Sequence, residues 1–356
     1  NRTGIDPADI DEVIMGAANQ AGEDNRNVAR MAVLLAGLPD SIPGFTVNRL
    51  CASGLTSIIQ GRAMIAAGDA DVVVAGGVES MTRAPWVQAK PEKAWAKPGA
   101  AFDTSIGWRF PNPRLAARDK ATFTMPETAE EVARVDGITR AEADAFAVRS
   151  QQRAAAAIAA GRFAPEIVGV PIRDGEVLVD EGPRPDTTLE VLARLRPVVA
   201  GGEVVTAGNS SALNDGASAV LVASAEAVER HGLTPRARIV VGASAALAPE
   251  IMGLGPVPAT EKALRRSGLS LDDIGAVELN EAFASQSLAC IRRLGLDGDR
   301  VNADGGAIAL GHPLGSSGSR LLVTLMGRME REDSRYGLAT MCVGVGQGAA
   351  VILEKV

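Results

Sequence analysis

Apolar positions along this chain follow two periods, and the switch between them marks out the elements. Residues 6–16 (DPADIDEVIMG) read as a short acidic helix start followed by a strand with Val13 and Ile14. Over 27–37, Val28, Met31, Ala32 and Leu35 recur at helical spacing. A short strand is predicted over 45–48. An apolar helix then opens at Cys51, carries Leu55, Ile58, Ile59, Met64 and Ile65, and ends at Gly68. Residues 71–75 (DVVVA) read as a buried strand stopped by Gly76-Gly77. Strand, helix and strand in that order are the mark of a layered α/β unit.

From about 83 to 205 the texture changes. Pro, Trp and Arg recur without a steady period, and two helical stretches follow, over 127–135 and 139–160. The span reads as an inserted loop domain. Residues 204–229 return to α/β texture, and the last third repeats the first in outline. DDIGAVELN (272–280) parallels ADIDEVIMG (8–16), Arg300-Val301-Asn302 parallels Thr46-Val47-Asn48, and GLATMCVGVG (337–346) parallels DADVVVAGGV (69–78). An internal duplication is the expected reading. The boundaries are 1–82 and 206–230 for the first half, 83–205 for the insertion and 231–356 for the second half.

Composition narrows the function. A 356-residue chain with 46% hydrophobic residues has ample core, and at roughly 100–200 residues per domain it holds two domains or one large double unit. A net charge of −7 and only 3% aromatics argue against nucleic-acid binding. No apolar run is expected to reach the ~18 residues of a membrane span. Three cysteines with no CxxC pair argue against a structural metal site and fit a reducing compartment. The chain has six lysines against thirty arginines, a usage expected of a GC-rich bacterial gene and a cytoplasmic protein. The chain starts without Met, so an upstream targeting segment, organellar included, stays open.

Cys51 sits in NRLCASG at a strand-to-helix turn. Helix N-terminal N–H groups there would favour a thiolate or hold a developing oxyanion. A small buried core residue is the other reading, and position alone leaves both open. His312 lies in GGAIALGHPLGSSG, where flanking glycines allow close approach of a ligand. His231, before a glycine at a helix end, reads as a cap. Cys342 in CVGVGQG follows a strand. Its glycines mimic a dinucleotide fingerprint, but only eight residues follow Gly348, too few for that unit. Cys290 follows a helical pattern and reads as core. Asn280, at a strand-to-helix junction, is either a helix cap or an amide that orients a water or substrate oxygen.

These segments together resemble the thiolases. The matching pieces are NRLCASGL with AGGVESM, GNSSALNDGA, NEAFASQ, GGAIALGHPLGSSGSR and GLATMCVGVGQGAA, in the family's order and over nearly the whole chain. The resemblance implies a duplicated α/β fold layered αβαβα, with an inserted loop domain that binds coenzyme A. It implies CoA and acyl-CoA as substrates, no metal or other cofactor, no membrane, and a homodimer or a homotetramer built as a dimer of dimers. By motif, Cys51 matches the acyl-accepting nucleophile and His312 its activator, while Cys342 would move the proton at the α-carbon. Asn280 would hold a water that forms one oxyanion site with His312, and the N–H groups of Cys51 and Gly344 would form the other. Ser211 matches a position near the pantetheine and Arg184 one near the nucleotide end of CoA. Met125, Met252 and Phe283 match pocket walls. The family also carries a few tens of further N-terminal residues, including the first strand of the first half.

The segments 106–113, 125–129 and 182–188 look most like the 3-oxoadipyl-CoA branch of the degradative thiolases. That substrate ends in a carboxylate, for which Arg109 is the expected partner. An acetoacetyl-CoA thiolase is the alternative. A ketoacyl synthase-like condensing enzyme would use two histidines, and here Asn280 stands where the second is expected. A catalytically silent CoA or lipid carrier would fit only if a thiol or the His were lost.

Overall fold

The computed structural model describes residues 2–356. In chain order, β1 (Glu12–Gly16), α1 (Val28–Leu35), β2 (Gly44–Val47), α2 (Ser53–Ala67) and β3 (Val72–Glu79) come first. Two short hairpins follow, β4 (Trp86–Gln88) with β5 (Ala101–Asp103), and β6 (Val170–Ile172) with β7 (Gly175–Val177). The same stretch holds α3 (Pro113–Ala116), α4 (Met125–Asp136), α5 (Arg140–Ala159) and α6 (Leu189–Ala193). The chain returns with β8 (Gly216–Ala223), α7 (Ala225–His231), β9 (Ala237–Ala246), α8 (Pro256–Ser267), β10 (Ile274–Leu279) and α9 (Ala284–Leu294). It ends with α10 (Ala307–Leu310), α11 (Leu314–Arg331), β11 (Tyr336–Val343) and β12 (Gln347–Lys355).

Two four-stranded sheets result, ordered β2-β1-β3-β8 and β10-β11-β12-β9. In the first, β2, β1 and β3 run parallel and β8 pairs antiparallel with β3; in the second, β10 and β11 run parallel, and β12 pairs antiparallel with both β11 and β9. The duplication expected from the sequence is therefore a duplication of topology. The second sheet carries β9 beyond β12, whereas β8 forms the edge of the first. Helices α2 and α11 pack on each other between the sheets, α1 covers the outer face of the first sheet and α8 that of the second. This is the αβαβα layering. The central layer buries Leu55, Ile58, Leu321 and Leu325 with Ile14, Val73, Met341 and Val351 from the strands. Burying side chains of this size stabilises the fold by about 1.5–3 kcal/mol each.

Residues 50–67 reach a mean hydropathy of 1.2 over 18 residues, long and apolar enough by composition to cross a membrane, contrary to the expectation from the sequence. Half of that window is buried inside the fold, because α2 lies between two sheets and needs an apolar surface nearly all round. A second difference concerns β3, which runs through Gly76-Gly77 to Glu79 instead of stopping at the glycines. The glycines serve packing, not termination. A Cβ on Gly77 would lie 1.9 Å from the Gly315 carbonyl oxygen, and one on Gly76 would lie 2.2 Å from that of Ser218.

Candidate active site

The first turns of α2 and α11 meet above the C-terminal ends of β1 and β3. A Cβ on Gly54 would lie 2.6 Å from the Gly315 oxygen, and one on Gly16 would lie 2.3 Å from the Gly54 nitrogen. Backbone thus packs on backbone where Cys51 and His312 are presented.

Cys51 precedes α2 after a strained turn. Leu50 adopts φ 46°, a left-handed conformation uncommon for a bulky side chain. The turn is fixed by Leu50 N–H donating to Asn48 Oδ1 (2.8 Å), Arg49 N–H to Ser53 Oγ (2.9 Å) and Ser53 Oγ–H to the Leu50 carbonyl (2.6 Å). The thiol is buried. Burial pushes its pKa up and the Glu79 charge adds to this, while the Gly344 N–H and its own N–H pull it back. Both donors of the expected oxyanion site therefore already face the sulfur.

His312 is buried, and burial, with Arg320 as the smaller cause, pushes its pKa down to about 3. Its Nδ1 lies 2.5 Å from Ser317 Oγ. That hydroxyl donates its one proton to the Pro313 carbonyl (3.0 Å), so it accepts from Nδ1–H and leaves Nε2 as the bare nitrogen. Asn280 Nδ2 stands 3.3 Å from Nε2. The Asn280 backbone N–H donates to the Thr340 carbonyl at 3.0 Å, which ties it to β11. Its Oδ1 is buried with no hydrogen-bond partner, an acceptor suited to a polar hydrogen brought in by substrate or water. The cap reading of Asn280 is displaced, since Phe283 precedes α9.

Cys342, fully buried near the end of β11, is pushed well above the ordinary thiol range, by burial first and by Cys51 next. It shares an apolar cluster with Met125, Ala129, Val205, Met252, Ala282 and Phe283. Gly344 lies beneath Leu50 and Met125, where a Cβ would fall 3.1 Å and 3.8 Å from their side chains. Ser211 is held to the turn after Asn280, donating through both N–H (3.0 Å) and Oγ–H (3.1 Å) to the Ala282 carbonyl.

Arg184 stands apart from this cluster. It is exposed, its backbone N–H donating to Gln151 Oε1 at 2.7 Å. The neighbouring Gly182 leans on α10, where a Cβ would lie 2.7 Å from the Ala309 oxygen. His231 ends α7 before the left-handed Gly232, and Cys290 is core, its thiol pushed up to about 12 by burial. Both agree with their sequence readings.

Reading the sequence missed Ser317, which fixes the His312 tautomer, and Leu50, which carries the strain. It also missed two buried carboxylates. Glu281 accepts from Ser150 Oγ–H (2.6 Å), Asn302 Nδ2 (2.9 Å) and Ile308 N–H (3.2 Å), bracing the turn that bears Asn280. Glu79 does the same work elsewhere. The signal was present only as polar residues inside apolar motifs, at NEAF and GVES.

Two buried thiols and a neutral imidazole around donor-rich turns suit acyl transfer. The neutral resting pair keeps charge out of the site until an oxyanion develops within reach of fixed N–H donors.

Comparison with known proteins agrees. The family described as "Thiolase, N-terminal domain" matches residues 1–226, and "Thiolase, C-terminal domain" matches 233–355. The chain is 58% identical to the beta-ketoadipyl-CoA thiolase of Pseudomonas aeruginosa, over 99% of this chain and 89% of that protein. It is 54% identical to the 3-oxoadipyl-CoA/3-oxo-5,6-dehydrosuberyl-CoA thiolase of Escherichia coli, with the same coverage. The crystal structure of human mitochondrial 3-ketoacyl-CoA thiolase in complex with CoA superposes with a TM-score of 0.91 at 42% identity, over 99% of this chain and 88% of that one. The Bacillus anthracis acetyl-CoA acetyltransferase gives 0.91 at 40% identity, over 99% and 89%. The chain belongs to the thiolase family and is an acyltransferase.

Proposed function

We propose that the protein cleaves 3-oxoadipyl-CoA with CoA to give acetyl-CoA and the four-carbon acyl-CoA, through an acyl group on Cys51. Support for the mechanism comes from Asn280 Nδ2 lying 3.3 Å from His312 Nε2, from the Gly344 N–H and the neighbouring Cys342 acting on the buried Cys51 thiol, and from the close packing of the two helix starts beside Cys51 and His312. His312 takes the Cys51 proton as sulfur attacks the 3-oxo carbon, and the oxyanion is met by fixed donors. The bond between C2 and C3 breaks, the electron pair goes to the acetyl-CoA enolate, and Cys342 supplies the proton to C2. Cys342, now a thiolate, takes the proton of a second CoA thiol; that CoA sulfur attacks the acyl thioester, and Cys51 leaves and recovers its proton from His312. Condensation is the same path reversed. A water held by Asn280 serves one oxyanion together with His312, and the N–H groups of Cys51 and Gly344 serve the other.

The binding roles follow the same reading. Residues 83–205 act as an inserted domain that holds CoA between the halves at 1–82 with 206–230 and 231–356. Ser211 sits by the pantetheine, Arg184 by the nucleotide, and Met125, Met252 and Phe283 wall the acyl pocket. Support comes from β8 returning to pair with β3 across the insertion, and from the apolar cluster around Cys342. Exposed Trp86, Trp95 and Leu35 support burial against further copies, as a homodimer or a dimer of dimers. Bacterial relatives and three free cysteines support a cytoplasmic setting.

The choice of 3-oxoadipyl-CoA rests on the names of the relatives and on Arg109. Its guanidinium is half-buried and reaches only the Thr104 carbonyl at 3.5 Å, with no carboxylate on it among the described residues. An acetoacetyl-CoA substrate is the second reading, favoured by 48% identity to the acetyl-CoA acetyltransferase of Pseudomonas aeruginosa. The test is kcat/KM for 3-oxoadipyl-CoA against an uncharged 3-oxoacyl-CoA of similar length, in wild type and Arg109→Ala. A charge-assisted hydrogen bond is worth about 1.5–3 kcal/mol, so the preference should fall roughly 10- to 150-fold. Equal losses on both substrates make Arg109 structural. No wild-type preference for the charged chain removes the oxoadipyl reading.

A further inference from the structure

Glu79 ends β3, is only 5% exposed, and has no Arg, Lys or His paired with it among the described residues. It accepts three backbone N–H groups instead. Ala18 N–H and Gly315 N–H both reach Oε2 at 2.8 Å, and Asn19 N–H reaches Oε1 at 3.1 Å. Ala18 and Asn19 belong to the turn after β1, in the half that presents Cys51. Gly315 lies in the first turn of α11, three residues after His312 and two before its partner Ser317. The orphan N–H groups of a helix start and its dipole suit a carboxylate there.

We propose that Glu79 is a positioning residue: by clamping the first turn of α11 to the turn after β1, it sets where His312 meets Cys51. The inference rests on the roles given above to Cys51 and His312. Among the described residues no other acceptor serves the Gly315 N–H, so loss of the carboxylate removes the bond that ties the turn bearing His312 and Ser317 to the turn after β1. An electrostatic role toward the thiol is the alternative, and its sign is wrong. The Glu79 charge raises the Cys51 pKa and works against the thiolate. Its contribution is therefore geometric, and removing it slows the Cys51–His312 pair despite lifting an unfavourable charge.

The experiment is the rate of iodoacetamide alkylation of Cys51 in the full-length protein, read by peptide mass spectrometry, for wild type, Glu79→Ala, His312→Ala and the double variant. Misplacement by about 1 Å costs on the order of 100-fold in reactivity, so Glu79→Ala should slow alkylation about 10- to 100-fold. The double variant should be no slower than His312→Ala, because the clamp acts through the imidazole. Alkylation of Glu79→Ala at the wild-type rate, or losses that multiply in the double variant, overturns the proposal. If His312→Ala itself alkylates like wild type, the assignment of His312 as base fails; if it is slow and Glu79→Ala is not, only the clamp fails. Should the alanine variant not fold, Glu79→Asp replaces it. Its carboxylate stops one methylene short of the Gly315 N–H and should show the same non-additive slowing. A wild-type rate in that variant also overturns the clamp.

Discussion

The two halves share a frame and carry different side chains on it. In each, an asparagine pins the turn that follows the first parallel strand: Asn48 Nδ2 donates to the Ala18 carbonyl at 2.9 Å, and Asn302 Nδ2 to the Leu279 carbonyl at 2.7 Å. What stands on the frame differs. After β1 the first half places the small Ala17-Ala18; after β10 the second places Asn280-Glu281. At the end of β3 stands a carboxylate that accepts backbone hydrogens, while near the end of β11 stands the Cys342 thiol. On the proposed roles, one half supplies the nucleophile and the other the imidazole, the amide and the second thiol. A repeated fold offers two sets of strand ends, and under the proposed mechanism their different side chains, without new topology, separate covalent capture from proton movement.

The largest expected effect comes from emptying the first half of its single reactive group. Cys51→Ala should lose thiolysis and condensation by at least about 10⁴-fold. Turnover assays in both directions check this, and more than trace activity would end the division drawn above.

Next come the groups of the second half, which should fail differently from one another. His312→Ala should slow both acyl transfer and carbon–carbon cleavage by about 10²- to 10⁴-fold. Cys342→Ser should still form the acetyl-enzyme but lose exchange of the acetyl-CoA α-protons with solvent by a similar factor, because a hydroxyl is a far weaker acid than a thiol. Normal α-proton exchange in Cys342→Ser would return Cys342 to the apolar wall.

A smaller effect is expected at Ser317. Ser317→Ala removes the acceptor that fixes the Nδ1–H tautomer, and half the imidazole then presents the wrong nitrogen or orientation. A kcat loss of about 10-fold at unchanged KM is expected, in keeping with loss of one orienting hydrogen bond. A raised KM at unchanged kcat would place Ser317 in substrate binding instead.

The smallest effect bears on the frame. Gly77→Ala forces a Cβ against the Gly315 oxygen, and such overpacking costs about 1–3 kcal/mol. Thermal unfolding should show a lowered Tm. An unchanged Tm would mean that the two helix starts do not need their close contact.

Much of this arrangement was legible in the sequence, for identifiable reasons. The strand–helix–strand pattern, the repeat at Asn48 and Asn302, and the reactive residues within glycine-rich turns are local, and local patterns report themselves. The extent of β3 was not, because Gly76-Gly77 reads as a stop until Ser218 and Gly315 are seen pressed against it. The apolarity of α2 was underrated for a similar reason, since a helix between two sheets is apolar on faces a surface helix keeps polar. Glu79 and Ser317 escaped because their meaning lies in partners far along the chain or across the turn, as with Glu79 and Gly315, 236 residues apart. Spacing carries no record of such contacts.

The central claim, a first half that captures acyl groups and a second that moves protons, meets its most direct test in one measurement. Protein carrying Cys342→Ser is incubated with acetyl-CoA alone, and released CoA and the site of acetylation are quantified together. The account predicts one CoA released per site, with one acetyl group on Cys51 that persists. Acetyl on Cys290 or Cys342 in the wild-type control, or no CoA release at all, would contradict it.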